Sequence, residues 1–177
     1  MFHNKQIIFL IGSLTIKSEV LLIYLIMVKE DFKVAEISVS YRPAIANKPF
    51  IVSSLDAYVL FKPFFPESTI HLQEQFMVMY LNRANRVLGI YPMSIGGING
   101  TVVDIRLILS IALTTAATSI ILAHNHPSGN MKSSKADVEL TTRIKEGAKI
   151  MDIKLFDHLI ISPVDGVYSS FADEGLI

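Results

Sequence analysis

The sequence predicts an α/β domain, with helices layered on a mostly buried sheet. Three observations carry this. Of the 177 residues, 51% are apolar, enough for a sizeable core without covalent staples. The run Ser119 to Ala123 is apolar on both faces, which marks a buried inner strand. Two segments of helical periodicity, 104–117 and 134–149, flank that run, so strand and helix alternate.

In chain order, 32–44 reads as extended. Val34, Ile37 and Val39 interleave with polar residues, and Tyr41-Arg42-Pro43 ends the run. Residues 44–49 read as a linker. Ser53 or Ser54 caps a short helix with Ala57, Leu60 and Phe61 on one face, stopped by Pro63 and Pro66. Phe61, Phe64 and Phe65 are expected in the core. Glu74 to Leu81 is rich in β-formers, Asn82 to Asn85 turns, and Arg86 to Tyr91 returns as the second arm of a hairpin. Pro92 to Gly100 is a glycine-bearing connection. It carries neither a dinucleotide fingerprint nor the lysine of a phosphate loop.

Asp104 opens the first long helix, where its charge suits the dipole, and Ile105, Ile108, Leu109, Ala112, Leu113 and Ala116 form its stripe. Pro127 to Asn130 is turn chemistry. The second helix places Ala136, Leu140, Ile144 and Ala148 on a stripe, with Lys145 and Lys149 near its end. Lys132, Lys135, Arg143, Lys145 and Lys149 read as its solvated side. Ile153 to Phe156 and His158 to Ser162 are strand-like, and Asp165-Gly166 turns into a last strand over Val167 to Ser169. Phe171 to Ile177 closes the domain, packed by Phe171 and Leu176.

Residues 1–52 read as an N-terminal extension. Its apolar runs, Ile7 to Ile11 and Val20 to Val28, are separated by Lys17 and Glu19. A spanning helix needs about 20 largely uncharged residues, and each central charge costs roughly 2.5–3.5 kcal/mol. A membrane anchor is therefore not expected, and no convincing cleavage pattern marks a signal peptide. A mis-called start, with Met27 and its ordinary polar opening as the native one, or a non-native extension is expected instead.

The chain has no cysteine, which excludes disulfides, thiolate metal sites and a cysteine nucleophile, and fits a reducing, cytoplasmic location. Sixteen basic residues balance sixteen acidic ones, so net charge gives no support to a nucleic-acid partner.

The chemistry concentrates in His124 to Asp137, HNHPSGNMKSSKAD. Period two puts His124 and His126 on one face at the C-terminal end of the buried strand. Neutral imidazole is a good zinc ligand, but a catalytic site needs a third ligand and an open position. Asp137 lies in the first turn of the next helix, which the 127–129 turn can bring back, and Ser134 faces the same way one turn earlier. This proposes His124, His126 and Asp137 on zinc, with Ser134 bonded to the attacking water or to the oxyanion. A structural explanation stays open. Ser134-x-x-Asp137 resembles a capping box, and two histidines at a strand end can be solvated or bonded to backbone.

These residues also resemble a known family. His-x-His, seven residues, then Ser-x-x-Asp resembles the metalloprotease motif of the JAMM (MPN-plus) domain. HNHPSG, the apolar strand before it and the later Asp157-His158-Leu159-Ile160-Ile161 are similar to the bacterial RadC branch, over about 53–177. The resemblance implies the JAB/MPN fold, a mixed sheet flanked by helices with cytidine-deaminase-like architecture. It implies zinc on His124, His126 and Asp137, with Ser134 as oxyanion partner. JAMM proteases also use a glutamate at the start of an early core strand as general base. Glu74 matches that position, and it is the only acidic residue between Glu67 and Asp104. If its strand runs antiparallel to 119–123, it reaches the sheet end where the histidines emerge. His158 reads as structural, bonded to Asp157 or to backbone; His71 and His3 carry no signal.

Two functions are expected to compete. One is a zinc-dependent peptidase or isopeptidase acting on a peptide or protein substrate. The other is a metal-binding, catalytically weak interaction module in DNA repair, recombination or mobile-element biology. The RadC family carries a repair label, but full-length members resemble a fusion to a helix-hairpin-helix module, and residues 1–52 show no such pattern. A nucleobase deaminase is excluded because its signature needs cysteines.

Overall fold

The structure, a computed structural model, describes residues 21–23, 37–42, 47–96 and 103–177. The chain divides into two units, Met1–Ser38 and Val39–Ile177. In the first, residues 21–23 are helical. Among the described residues, no helix is long and apolar enough to cross a membrane. The expectations for Ile7 to Ile11, Lys17, Glu19 and the Met27 start lie outside the described residues. So does most of the extended run: its part at 37–42 has no regular secondary structure.

The second unit is a five-stranded mixed sheet with helices on both faces. Its strands are β1 (Gln75–Leu81), β2 (Val87–Ile95), β3 (Ser119–Asn125), β4 (Lys154–Ile161) and β5 (Tyr168–Ser170). They lie in the order β2-β1-β3-β4-β5. Only β3 and β4 pair in parallel, and β1 runs antiparallel to both β2 and β3. The helices are α1 (Ser54–Phe61), α2 (Glu67–Ile70), α3 (Ile105–Thr114) and α4 (Lys135–Ile150), with a 3-10 turn at Lys62–Phe64. The predicted α/β class is borne out.

Strand parity builds two cores. Met77, Met79, Ile121, Ala123, Leu159 and Ile161 meet Ala57, Tyr58 and Phe61 of α1. Phe76, Val78, Tyr80, Ile120 and Leu122 meet Ile108 and Ala112 of α3 and Ile144 and Ala148 of α4. Every residue of β1 and β3 is buried, as expected for inner strands covered on both faces. The even-numbered row on β3 runs Ile120, Leu122, His124. The histidines therefore continue the face that carries α3 and α4.

Several local expectations shift. Ser53 is the cap of α1, in a capping box with Asp56, and Tyr58 joins its buried face. Phe61 and Phe65 are buried, but Phe64 is exposed at the end of the 3-10 turn. The hairpin's second arm runs on through Pro92 to Ile95. Proline is tolerated there because β2 is the sheet edge, where no neighbour needs its N–H. Gly97 to Gly100 lie outside the described residues. Helix α3 stops at Thr114, and Ala116 follows with φ 52°, so Leu113 faces solvent and Ala116 leaves the stripe. On α4 the buried residues are Thr141, Ile144 and Ala148, while Ala136 is exposed. The two strand-like runs after α4 merge into β4, and Leu176 is exposed beside the buried Phe171.

Candidate metal centre

His124 ends the buried row of β3, and its ring stacks on Phe76 of β1 at a centroid distance of 6.2 Å. His126 follows two residues on, where its backbone N–H donates to the Ile161 carbonyl of β4. The Gly129 N–H closes a turn onto the His126 carbonyl, and Gly129 takes φ +74°, a region that costs other residues strain. That turn returns the chain to α4, whose cap is Ser134. Ser134 Oγ accepts from the Asp137 N–H (3.1 Å) and Asp137 Oδ2 accepts from the Ser134 N–H (2.7 Å). The capping box left open by the sequence is therefore formed. It still leaves Asp137 turned towards the histidines.

The two Nε2 atoms of His124 and His126 stand 3.0 Å apart. Asp137 Oδ1 lies 3.5 Å from His124 Nε2, and Oδ2 lies 3.6 Å from His126 Nε2. Ligand atoms of all three lie within 4.8 Å of one another. Atoms about 2.0–2.2 Å from a tetrahedral ion stand about 3.3–3.6 Å from each other; the two Asp137 separations match this and the Nε2 pair is slightly closer, so the set fits one metal. The chemistry fits too. His126 Nδ1 meets the Asn130 carbonyl at 2.5 Å. A carbonyl only accepts, so Nδ1 carries the proton and Nε2 offers its lone pair to the centre. A carboxylate and an imidazole lone pair converging there favour a cation.

Electrostatics agree. Burial lowers the His124 imidazole to about 4, against the pull of the Asp137 carboxylate, and His126 adds to the drop. Asp137 is raised by its own burial, but His126, His124 and the Ser134 cap outweigh this and hold it below the usual carboxylate range. His126 is pushed up, first by the facing Asp137 carboxylate and against its burial. The site thus favours an ionised carboxylate and a neutral His124, the protonation states that metal ligands need.

A family model of the RadC-like JAB domain matches residues 51–176. The chain belongs to the RadC-like JAB domain family. A UPF0758 protein of Flavobacterium johnsoniae is 44% identical over 126 residues, 71% of this chain and 53% of that protein. One from Porphyromonas gingivalis is 42% identical over 127 residues, 72% of this chain and 54% of that protein. One from Methanosarcina mazei is 37% identical over 127 residues, again 72% of this chain and 53% of that protein. The chain spans about half the length of the curated relatives it matches.

In this JAB domain Glu74 stands immediately before β1, and Phe76 pairs with His124 in the antiparallel β1–β3 register. The paired register ends there; carried on by two residues, past the ends of both strands, it leads towards Glu74 on one side and His126 on the other. Burial raises the Glu74 carboxyl; His126 opposes the shift and Asp137 adds to it, so both act on Glu74 electrostatically. The Ser134 hydroxyl, which caps α4, also helps to hold the Asp137 carboxyl down through a side-chain hydrogen bond.

Two residues, Asn125 and Thr141, escaped the sequence reading, and a third, His158, gains partners it did not name. Asn125, between the histidines, points to the opposite face and grips the loop that precedes β1. Its Oδ1 accepts from the Gln75 N–H (2.7 Å), and its Nδ2 donates to the carbonyls of Ile70 (2.8 Å) and Gln73 (3.0 Å). These contacts bracket Glu74. His158 bonds Asp157, as expected, through its backbone N–H. The ring lies between His124 Nδ1 (2.8 Å) and Thr141 Oγ1 (2.6 Å). The signal for Thr141 was its spacing, four residues after Asp137 on α4.

Proposed function

We propose that this domain is a zinc-dependent hydrolase of peptidase or isopeptidase type, acting on a peptide or protein substrate. The observation that carries the reading is the convergence of His124, His126 and Asp137 within 4.8 Å. Three protein ligands with nitrogen and oxygen donors suit a catalytic zinc that keeps one position open. Bound there, zinc supplies Lewis-acid activation of a water and of a scissile carbonyl.

The chain's own groups would do the rest. Glu74, just before β1 and acted on by His126 and Asp137, takes a proton from the attacking water and passes it to the leaving amine. Its burial raises its proton affinity, which suits a group that must hold that proton between the two transfers. Ser134 donates its hydroxyl proton to the oxyanion, turning from the Asp137 carboxylate to do so. Asn125 keeps the segment bearing Glu74 against the strand bearing the histidines.

Metal analysis of wild type and Asp137→Ala tests the site: about one zinc per chain is expected in the first and none in the second. Equal zinc in both would remove Asp137 from the ligand set. A peptidase screen comparing wild type with Glu74→Gln tests the base, with a loss of about 10²–10⁴-fold expected. Unchanged cleavage would exclude Glu74. Zinc binding without cleavage by either protein would favour the interaction-module reading.

A further inference from the structure

The ring of His158 is fully buried, yet both its nitrogens are engaged in one chain of hydrogen bonds that starts at His124 and ends on the backbone of Asp137. The direction of that chain follows from its last member. Thr141 Oγ1 lies 2.5 Å from the Asp137 carbonyl oxygen and 2.6 Å from His158 Nδ1. Two oxygens at that distance need a proton between them, and a carbonyl has none. The threonine hydroxyl therefore donates to Asp137, and only its lone pairs face His158. So His158 Nδ1 carries a proton and donates it to Thr141.

The ring sits against Phe171 (4.7 Å between centroids) and Phe76 (5.5 Å), with no carboxylate among its side-chain partners. A second proton would leave a buried charge with no carboxylate in contact to balance it, so Nε2 keeps its lone pair. His124 Nδ1, 2.8 Å away, must then be the donor. A neutral imidazole protonated at Nδ1 has its lone pair at Nε2, the nitrogen that faces His126 and Asp137.

We infer that Thr141 and His158 are positioning residues that lock His124 in its Nδ1–H tautomer and so hold its Nε2 lone pair ready for the metal. This rests on the metal-site reading for its purpose, though the hydrogen-bond direction stands without a metal. The lock acts against the site itself. His126 Nε2 at 3.0 Å and Asp137 Oδ1 at 3.5 Å are acceptors that would draw the His124 proton onto Nε2. The chain crosses β3, β4 and α4, so it also ties the strand carrying two ligands to the helix carrying the third.

The test uses the full chain labelled with nitrogen-15 at histidine, first with metal chelated away. Two-bond proton–nitrogen spectra should show His124 protonated at Nδ1 in wild type. Thr141→Val keeps the side chain's shape but removes its oxygen, freeing His158 to donate from Nε2. His124 should then move to the Nε2–H form. Thr141→Ser should restore the wild-type pattern, as should His158→Gln, whose amide can accept from His124 and donate to Thr141. Zinc affinity, read by competition with a chromophoric chelator, should fall about 10–100-fold in Thr141→Val and return in Thr141→Ser. An Nε2–H His124 in metal-free wild type, or an unchanged tautomer in Thr141→Val, overturns the lock. A switched tautomer with unchanged zinc affinity overturns its role in metal binding. A wild type that shows the Nδ1–H form but takes up no zinc refutes the metal reading and leaves the hydrogen-bond assignment standing.

Discussion

Two neighbouring histidines in this site have opposite electrostatic fates. His124 is buried and lowered to about 4, while His126, beside the Asp137 carboxylate and less buried, is raised. His158 behind them is held well below the usual histidine range, by burial first and then by His124. The consequence for stability has a definite sign. Between pH 6.5, the unperturbed histidine value, and about 4, the unfolded chain binds protons that folded His124 and His158 refuse. Their contribution is fully present above pH 6.5 and is lost as pH falls through that window. His126 and Glu74, both raised, work the other way, but neither is fully buried as the two rings are. Thermal melts of the chelator-treated chain should therefore show a falling melting temperature from pH 7 to pH 4.5. A flat profile would contradict the burial of these rings. His-x-His showed these residues to be a pair from the sequence, but their different burial depends on what packs over β3.

At the scale of the element, the important feature is the alternation of β3. His124 and His126 point to the α3 and α4 face, and Asn125 between them points to the α1 face. Asn125 there satisfies the buried Gln75 N–H and two loop carbonyls. Asn125→Leu should cost about 1–3 kcal/mol for the unpaired Gln75 donor alone, measured by chemical denaturation. It should also lower cleavage more than zinc content, because the grip acts on the Glu74 segment. Loss of zinc in step with cleavage would show that Asn125 instead supports the histidines. Helix α4 adds a similar lesson. Its periodicity was readable, but its inward face is Asp137, Thr141, Ile144 and Ala148 rather than a row through Ala136. The capping box starts the helix with Asp137 aimed at the histidines, and the polar Thr141 follows on that face because His158 offers it a partner.

For the whole molecule, one mixed sheet brings the ends of three elements to one place. The start of β1, the end of β3 and the start of α4 meet because β1 and β3 are antiparallel while α4 links the parallel pair β3–β4. A ligand that binds only this arrangement stabilises the folded state, by about 2.7 kcal/mol at a free concentration one hundred times its Kd. Adding zinc to the chelated wild type should accordingly raise its melting temperature, and Asp137→Ala should not respond. An equal shift in both would place the zinc elsewhere. The domain that does this is about half the length of its curated relatives, so partners that the rest of such proteins engage are a separate matter.

By itself the sequence determined the element types, the inner strand and the compact motif from His124 to Asp137. Each of these rests on local period: two along a strand, 3.6 along a helix, and a capping pattern three residues apart. The family followed from the same short stretch. Only the tertiary structure decided what no local period encodes, namely which residues from distant segments face one another. Antiparallel pairing of β1 and β3 brought the Glu74 end of one strand to the His124 end of the other, the reverse face of β3 gave Asn125 its work, and the packing of β4 beside α4 put His158 between His124 and Thr141. Sheet pairing fixes those neighbours through contacts between residues more than thirty positions apart in some cases, such as His124 with His158, and a sequence pattern read in short windows cannot carry them.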